Sequence, residues 1–317
     1  MVNRENYLLV KKYLEHNLNV KQNLPQTVRL ARRDLYEFIT WLDEKNISQA
    51  AAIRPTFIEY MTKAGSSYGT QEQRCFNARS FLSWLILYER MKINEAWIDM
   101  LRPRKVAGKL LSSRKIWTLE NVRKITAIKP ESNREIRDIA ATAFLFLSGM
   151  RIGAFYTLPL SCVDIARRRV TQSPEFGVHT KFSKSAITYL LPIPDLLDIV
   201  GEFDALVRLS AGGSDCNWYP SLNAVTGTWK VKRNTTDRHQ TYERGLRTLC
   251  GLAGVPYYSP HKLRHGHAVY GVKHARNLAD LKALSQNLMH ANVGITDGLY
   301  GKLPDDDLEN IMGGFSE

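Results

Sequence analysis

The sequence predicts an α+β protein whose N-terminal domain is entirely helical and whose second domain is mixed, mainly helical, with a small antiparallel sheet. Three observations lead to this prediction. Apolar residues recur at helical spacing through the first hundred residues. Beyond residue 118, helical segments alternate with short runs rich in β-branched residues. Between them, residues 102–118 are basic and aperiodic and contain Pro103 and Gly108, so we place the linker there and the domains at 1–107 and 108–317.

The N-terminal domain is expected to contain four or five helices and no strand. Its clearest helix is "TVRLARRDLYEFITWLDE", in which apolar residues recur three and four positions apart. The segment "RCFNARSFLSWLILYER" repeats that pattern. An earlier helix contains Tyr7, Val10 and Leu14, and Pro55 stands where the first turn of another helix would begin.

The second domain is expected to mix buried helices with short strands. "REIRDIAATAFLFLSGM" predicts a helix that ends at Gly149. "VDIARRRVTQ" and "AITYLLPI" predict strands, and a shorter strand is predicted around 178–180. Further helices are predicted in "TYERGLRTLCGLAG", "KLRHGHAVYGVKHA" and "LADLKALSQNLMH".

The charge of the chain favours a polyanionic partner. The formal net charge is +13 and the isoelectric point is near 9.6. Residues 1–110 carry +7 and residues 111–302 carry +11, whereas residues 303–317 carry −5. Two basic domains joined by a linker suit a clamp around double-stranded DNA. An anionic membrane surface is the alternative, but no apolar run reaches the length of a span and no signal segment is present, so we expect a cytoplasmic, nucleoid-associated protein.

The cysteines do not suggest a disulfide framework or a zinc site. Four are present and none shows the Cys-x-x-Cys spacing: Cys75, Cys162, Cys216 and Cys250. We expect buried, neutral thiols.

The segment "SPHKLRHGHAVYGVKHA" raises the first functional hypothesis. Pro260 restricts Ser259 to extended conformations, so a helix can begin only at or after His261. His261 and Arg264 then lie three residues apart on one helical face. An imidazole and a guanidinium aimed at one point suit a phosphate, although two unrelated surface groups would give the same spacing.

Four other residues gain meaning only from their order along the chain. Arg151 follows the glycine that ends a hydrophobic helix, and Lys181 follows a predicted strand. His290 precedes Tyr300 by ten residues. Taken singly, Arg151 fits a salt-bridge partner and Lys181 an ordinary hairpin lysine, whereas His290 and Tyr300 indicate little.

The ordered set resembles the tyrosine recombinase (phage integrase) family. The resemblance rests on Arg151 in "SGMRIG", Lys181 in "HTKFSK", His261 and Arg264 in "HKLRH", His290 in "LMHANV" and Tyr300 in "TDGLYGK". The helical segments before "RPRK" resemble the SAM-like core-binding domain of the family. The resemblance therefore spans nearly the whole chain and implies the tyrosine recombinase catalytic fold for the second domain.

The resemblance implies covalent catalysis on a DNA phosphodiester. Tyr300 would be the nucleophile, leaving a 3′-phosphotyrosyl bond and a free 5′-hydroxyl, so strands could be rejoined without ATP. Arg151 and Arg264 would neutralise the charge that builds on the non-bridging oxygens. Since two fixed cations supply that stabilisation, neither a metal nor another cofactor is expected.

The resemblance also assigns roles to the remaining three residues. Lys181 would protonate the departing 5′-oxygen. His261 would act as acid or base for Tyr300, and His290 would donate a hydrogen bond to the phosphate. Lys184, three residues beyond Lys181, is the alternative general acid.

At the level of function, the resemblance implies a site-specific recombinase that acts on two DNA sites as a tetramer, through a Holliday junction. A type IB topoisomerase-like relaxing enzyme and a catalytically silent DNA-binding relative are the alternatives. The acidic tail after residue 303 is expected to form a short helix. In the family such tails commonly dock on a neighbouring protomer, and packing on its own chain is equally open.

Several positions depart from the family pattern. A glutamate often stands where this chain has Ala154, so Arg151 must be oriented by something else or be held more loosely. A glycine often precedes the histidine at 290, but here that residue is Met289. His261 and His265 have the spacing of zinc ligands on a helix, yet no glutamate lies between them and no third ligand is apparent, so His265 is expected to be either an active-site-edge residue or a buried, hydrogen-bonding histidine.

Overall fold

The computed structural model describes most of the chain in two compact units, residues 1–112 and 113–317. The described residues are 2–47, 56–104, 116–213, 215–223, 225–230, 232–233, 239–290, 292 and 294. Most of the predicted linker, Pro55, Tyr300 and the acidic tail lie outside them. The domain limits proposed from the sequence therefore stay a prediction.

The described part of the first unit is helical, as predicted. Its five helices are α1 (Arg4–Asn19), α2 (Pro25–Leu42), α3 (Phe57–Lys63), α4 (Tyr68–Tyr88) and α5 (Glu95–Met100). Pro25 opens α2 at a position where a missing N–H is harmless. The apolar stripes of these helices meet in one core that includes Leu35, Phe38, Phe81 and Leu85.

Seven helices and five short strands form the described part of the second unit. The helices are α6 (Leu119–Thr126), α7 (Asn133–Ser148), α8 (Ile152–Tyr156), α9 (Pro194–Ala211), α10 (His239–Ala253), α11 (His261–His274) and α12 (Leu278–Asn287). The strands are β1 (Val163–Asp164), β2 (Arg169–Gln172), β3 (Ala186–Tyr189), β4 (Ser221–Leu222) and β5 (Trp229–Lys230). This mixed, mainly helical architecture confirms the predicted α+β class.

The sheet differs from the prediction in two places. β1, β2 and β3 form an antiparallel sheet in that order. The segment predicted as one strand, "VDIARRRVTQ", is instead a hairpin, because the amide of Arg167 bonds to the Asp164 carboxylate and Arg168 adopts a left-handed conformation (φ 52°). The prediction of a strand around 178–180 is wrong, since these residues have no regular structure: the amides of Val178 and Thr180 close local turns, and the amide of His179 bonds to the hydroxyl of Thr157.

Helix α7 is the centre of the second unit. From Arg137 to its last residue, Ser148, every residue is buried. The helix is capped at its start by Ser132, whose hydroxyl accepts the amide of Glu135 at 3.3 Å. It ends, as predicted, at Gly149, which takes the left-handed conformation (φ 59°). The buried C-terminal turns of α7 thus lead the chain to Arg151.

Two further predictions concern burial and membranes. The four cysteines are buried as free thiols, as expected from their spacing, and burial raises the pKa of Cys75 and of Cys250 to about 11. None of the described helices is long and apolar enough to cross a membrane.

Candidate active site

The candidate site is built around the end of α7. Gly149 turns the chain sharply, and α8 begins three residues later at Ile152, where the amide of Phe155 donates to the backbone carbonyl of Arg151. Arg151 itself is extended and half-buried at the start of that short helix. Ala154 is buried inside α8. The placement of Arg151 therefore comes from two adjacent helix ends, which fix its backbone.

Arg264 is held in place by burial and by two hydrogen bonds to backbone carbonyls. It lies on the first turn of α11, which begins at His261 as the proline predicted, and only 5% of it is exposed. Its Nη1 donates to the carbonyl of Gly149 at 2.7 Å, and its Nη2 donates to the carbonyl of Leu288. The guanidinium therefore joins the ends of two helices, α7 and α12, and its plane is set by both.

His267 packs against Gly149, whose carbonyl binds Arg264. It is completely buried, and its Nδ1 lies 2.8 Å from the carbonyl of Phe146, so Nδ1 carries the hydrogen and donates. A Cβ at Gly149 would lie 2.5 Å from Cδ2 of His267 and 2.9 Å from a methyl of Leu288. The turn that presents the Gly149 carbonyl to Arg264 thus needs glycine for its space as well as for its conformation.

The position of His290 is set by the end of α12. Asn287 bonds to β3 through both atoms of its side-chain amide, to the amide of Tyr189 at 2.7 Å and to its carbonyl at 3.1 Å. Met289 then takes a left-handed conformation (φ 53°), and the amide of His290 bonds to Ser285 at 3.0 Å. Methionine therefore adopts a backbone geometry in which glycine would be unstrained.

Four of the six predicted residues lie close enough to one another for their charges to interact: Arg151, His261, Arg264 and His290, which we call the helix-end cluster. Desolvation and the positive charges of Arg264 and Arg151 lower the pKa of His290 to about 4. Desolvation and the same two guanidinium groups, with Lys262, lower the pKa of His261. Both imidazoles are therefore held neutral near pH 7 beside two permanent cations.

His265 lies beside the cluster. Its ring meets that of His261 edge-on, with centroids 5.0 Å apart. Among the described residues, no group of three or more His, Cys, Asp or Glu side chains is placed to hold a metal ion.

Lys181 is not brought into the cluster. It lies in the loop between β2 and β3 (residues 173–185), where it is exposed and its ammonium sits 4.9 Å from the ring centroid of Phe182. Lys184 is exposed in the same loop. Tyr300 lies outside the described residues. The assignment of Lys181, Lys184 and Tyr300 to the reaction therefore stays a prediction.

Three contributors to the site were missed from the sequence. Gly149 was recognised as a helix end but not as the carbonyl that binds Arg264, and the carbonyl of Leu288 gave no signal at all. His267 stood out only as one more histidine after Arg264. Because backbone carbonyls are present at every residue, only the fold can select two of them as ligands for a guanidinium.

Comparison with known proteins identifies the class of protein that this fold and site define. The family model described as the phage integrase family matches residues 115–305, a stretch that contains all six predicted site residues. The match covers more than half of the chain, which therefore belongs to the tyrosine recombinase (phage integrase) family of DNA strand-transesterifying enzymes.

Curated relatives agree with this assignment over nearly the whole length. The tyrosine recombinase XerC of Histophilus somni is 25% identical over 294 residues, covering 92% of this chain and 91% of the relative. The tyrosine recombinase XerC of Actinobacillus succinogenes is 27% identical over 295 residues and covers 90% of each chain.

Solved structures share the fold at low sequence identity. A lambda integrase (75–356) dimer bound to a COC′ core site superimposes with a TM-score of 0.66 at 13% identity, covering 94% of this chain and 97% of that one. The XerH recombinase bound to its difH substrate gives a TM-score of 0.60 at 14% identity, covering 97% and 84%. These likenesses confirm the predicted fold class.

Proposed function

We propose that this chain is a site-specific recombinase that cleaves and rejoins double-stranded DNA through a 3′-phosphotyrosyl bond to Tyr300 and a Holliday junction. Family membership supplies the reaction class. The observation that carries the proposal is the helix-end cluster, in which Arg151 and Arg264 depress the pKa values of both His261 and His290. The two cations lie near both imidazoles, and a phosphate bound among these four side chains would meet both guanidinium groups.

The two arginines would stabilise the pentavalent phosphorus of the transition state. Attack adds negative charge to the non-bridging oxygens, and fixed cations lower the energy of that state without reorganising. Arg264 is suited to this role because its two bonds to backbone carbonyls hold it before DNA arrives. Arg151 is half-buried at the start of α8, so it lies where a ligand from solvent can reach it.

The chemical step exchanges one ester for another. The Tyr300 oxygen forms the bond to phosphorus as the bond to the 5′-oxygen breaks, and the tyrosine proton leaves while the 5′-oxygen gains one. Lys181 supplies the proton to the 5′-oxygen. Because Lys181 is exposed on the β2–β3 loop, DNA binding must bring this loop to the scissile phosphate.

The histidines act in their neutral forms. A neutral imidazole has one N–H and one lone pair, so His261 can accept the proton of Tyr300 and return it during rejoining. His290 donates its single N–H to a non-bridging oxygen. The low pKa of His290 means that it contributes this hydrogen bond without adding a third full charge.

The proposal also includes assembly of the protein on DNA. The net charge of +13 favours a polyanionic partner, and the lambda integrase and XerH structures described above are DNA complexes of those proteins. We propose a tetramer on two DNA sites, with the first domain and the catalytic domain both on DNA and the acidic tail docked on a neighbouring protomer. Binding should weaken steeply with salt, because each phosphate contact releases counterions.

A nicked suicide substrate tests the chemistry. The DNA segment that crosslinks to the protein in cells supplies the sequence, and a nick beside the cleavage point lets the 5′-hydroxyl fragment diffuse away, so a covalent protein–DNA adduct accumulates. The wild type should form the adduct, and Tyr300→Phe should form none. Tyr88→Phe, which alters an exposed tyrosine of α4, is the matched control and should react normally.

The outcomes separate the candidate functions. An adduct that survives in Tyr300→Phe would assign another nucleophile, and no adduct in the wild type would favour a DNA-binding relative without catalysis. A plasmid carrying two copies of the site distinguishes the rest. Exchange between the copies supports recombination, whereas loss of supercoils without exchange indicates a relaxing enzyme.

A further inference from the structure

The tip of the β2–β3 loop carries an aromatic residue in a strained position. Phe182 has φ 60° and ψ 28°, and Ser183 after it has φ 50°. Two consecutive non-glycine residues in the left-handed region are rare, because the Cβ of an L-residue crowds its own backbone there. Strain of this kind persists mainly where function requires it.

The strain brings Phe182 no burial. Its side chain is 79% exposed, the largest exposed fraction of any phenylalanine that the structure describes. Exposure alone would mean little, since Leu209 on α9 is 81% exposed. Leu209, however, lies on a regular helix that needs no special backbone. Phe182 combines exposure, strain and a place beside the proposed general acid.

The surroundings of Phe182 match a nucleic acid. Lys181 and Lys184 are exposed on either side, and the Lys181 ammonium lies 4.9 Å from the ring centroid. No acidic residue occurs between Glu175 and Asp195. Ammonium groups bind phosphates, and an aromatic ring between them can pack on a base or sugar or wedge into a base step. A second copy of this basic loop would instead be repelled.

We propose that Phe182 is a DNA-contacting residue whose ring packs against the base step beside the cleaved phosphate and thereby places Lys181 at the 5′-oxygen. This inference rests on the proposed function, since Lys181 is the general acid only there. It adds a contact that is chemically independent of the reacting groups. Phe182 would be a positioning residue, because it would affect the reaction only through the placement of Lys181.

The test uses the full chain and a duplex from the crosslinked genomic segment, with 2-aminopurine placed in turn at the bases flanking the cleaved phosphate. Packing of the ring should change the fluorescence of one of these bases on binding. Phe182→Gly should abolish that change and raise the dissociation constant by about 10-fold, which is the size of a lost base–aromatic contact. Phe182→Tyr, which keeps the ring, should restore both.

Two controls keep the result interpretable. Glycine suits a positive φ, so Phe182→Gly should fold at least as stably as the wild type in thermal unfolding. Phe176→Ala, which removes another exposed ring from the same loop, should leave the fluorescence and the affinity unchanged. Equal affinity and fluorescence for Phe182→Gly and the wild type would overturn the inference.

The experiment also distinguishes this inference from the proposed function. Covalent adduct formation is scored separately on the unlabelled suicide substrate. A wild type that forms the adduct, with a Phe182→Gly variant that binds DNA normally, refutes the inference alone. A wild type without any adduct refutes the proposed function. Altered sedimentation of Phe182→Gly with unchanged DNA binding would assign the ring to contact between protein copies and overturn the inference.

Discussion

The helix-end cluster and the β2–β3 loop represent two different ways of holding functional side chains. In the cluster, Arg264 is buried and bonded to the carbonyls of Gly149 and Leu288, and a fully buried His267 packs below them. In the loop, Lys181 and Phe182 are exposed, and the backbone is strained. The anion-binding half of the proposed site is thus assembled in the free chain, whereas the proton-donating half is not.

Under the proposed function, this difference separates the groups that the fold itself positions from those that DNA binding must bring into place. Preorganised cations lower the barrier only if they do not move during the reaction, so burial suits them. A general acid that stays away from the cluster until substrate arrives links strand cleavage to correct DNA binding. Among the described contacts that connect the regions, the amide of His179 in the loop donates to the hydroxyl of Thr157 just after α8 at 2.8 Å, and Asn287 bonds α12 to β3 through Tyr189.

The largest effect is expected from replacing the buried Arg264. Arg264→Lys cannot reach both carbonyls with a planar fork, so it should lower the free energy of unfolding by about 2–5 kcal/mol, because buried carbonyls lose their donors. Adduct formation should fall on the order of 10²–10³-fold. Arg151→Lys should lose activity to a similar degree but change the unfolding free energy by less than about 1 kcal/mol. Equal stability of the two variants in urea titrations would contradict this.

The loop should show the opposite pattern, with activity lost and stability kept. Lys181→Ala should slow cleavage on the order of 10²–10⁴-fold, with the unfolding free energy changed by less than about 0.5 kcal/mol. A substrate with sulfur at the bridging 5′ position should restore the rate, since a thiolate (pKa about 8.5) leaves without a proton. Lys184→Ala is the matched control, and rescue of that variant instead would make Lys184 the acid.

The close packing around Gly149 and its left-handed conformation contribute separately to the free energy of unfolding, and two variants can distinguish the contributions. Gly149→Ala should destabilise the fold by about 2–5 kcal/mol, because a left-handed alanine is strained and its Cβ would overlap His267 and Leu288. Gly212→Ala changes a glycine with a similar φ (54°) and nothing within 4 Å of the new Cβ, so it should cost only about 1–2 kcal/mol. Chemical denaturation measures both, and equal losses would show that packing at Gly149 is unimportant.

Acid should weaken the fold through the buried His267. Desolvation lowers the pKa of His267 from 6.5 to about 4, so the unfolded state takes up the proton first as the pH falls. The free energy of unfolding should therefore drop between about pH 6.5 and 4, by at most about 1.4 kcal/mol per pH unit from this group, and level off below. His267→Asn, which keeps an amide N–H but does not titrate, should flatten the slope. His274→Asn, at the exposed end of α11, should not.

The smallest effect tests the convergence of the cluster itself. Arg151→Gln removes one of the cations that lower the pKa values of His261 and His290, so NMR titration should show both values rising. Lys262→Gln is the matched control, because Lys262 lowers the pKa of His261 but is not a cause for His290. If Arg151→Gln shifts neither histidine, the proposed common site is wrong.

The sequence by itself determined the fold class, most of the helices and the order of the candidate residues, but α6, α8 and α9 were not predicted. Periodicity and glycine or proline boundaries are local properties, so the end of α7 at Gly149 and the start of α11 at His261 could be predicted. Strands were less certain: "VDIARRRVTQ" is a hairpin, because a turn at Arg168 depends on a hydrogen bond that composition does not reveal.

Only the tertiary structure decided how the candidate residues are held. It selected the carbonyls of Gly149 and Leu288 for Arg264, buried His267 beneath them and left Lys181 on an exposed loop. These outcomes depend on which distant segments meet and how much water their contact excludes. Desolvation and charge then set the histidine pKa values. Such quantities belong to the packed molecule and have no counterpart in the order of residues.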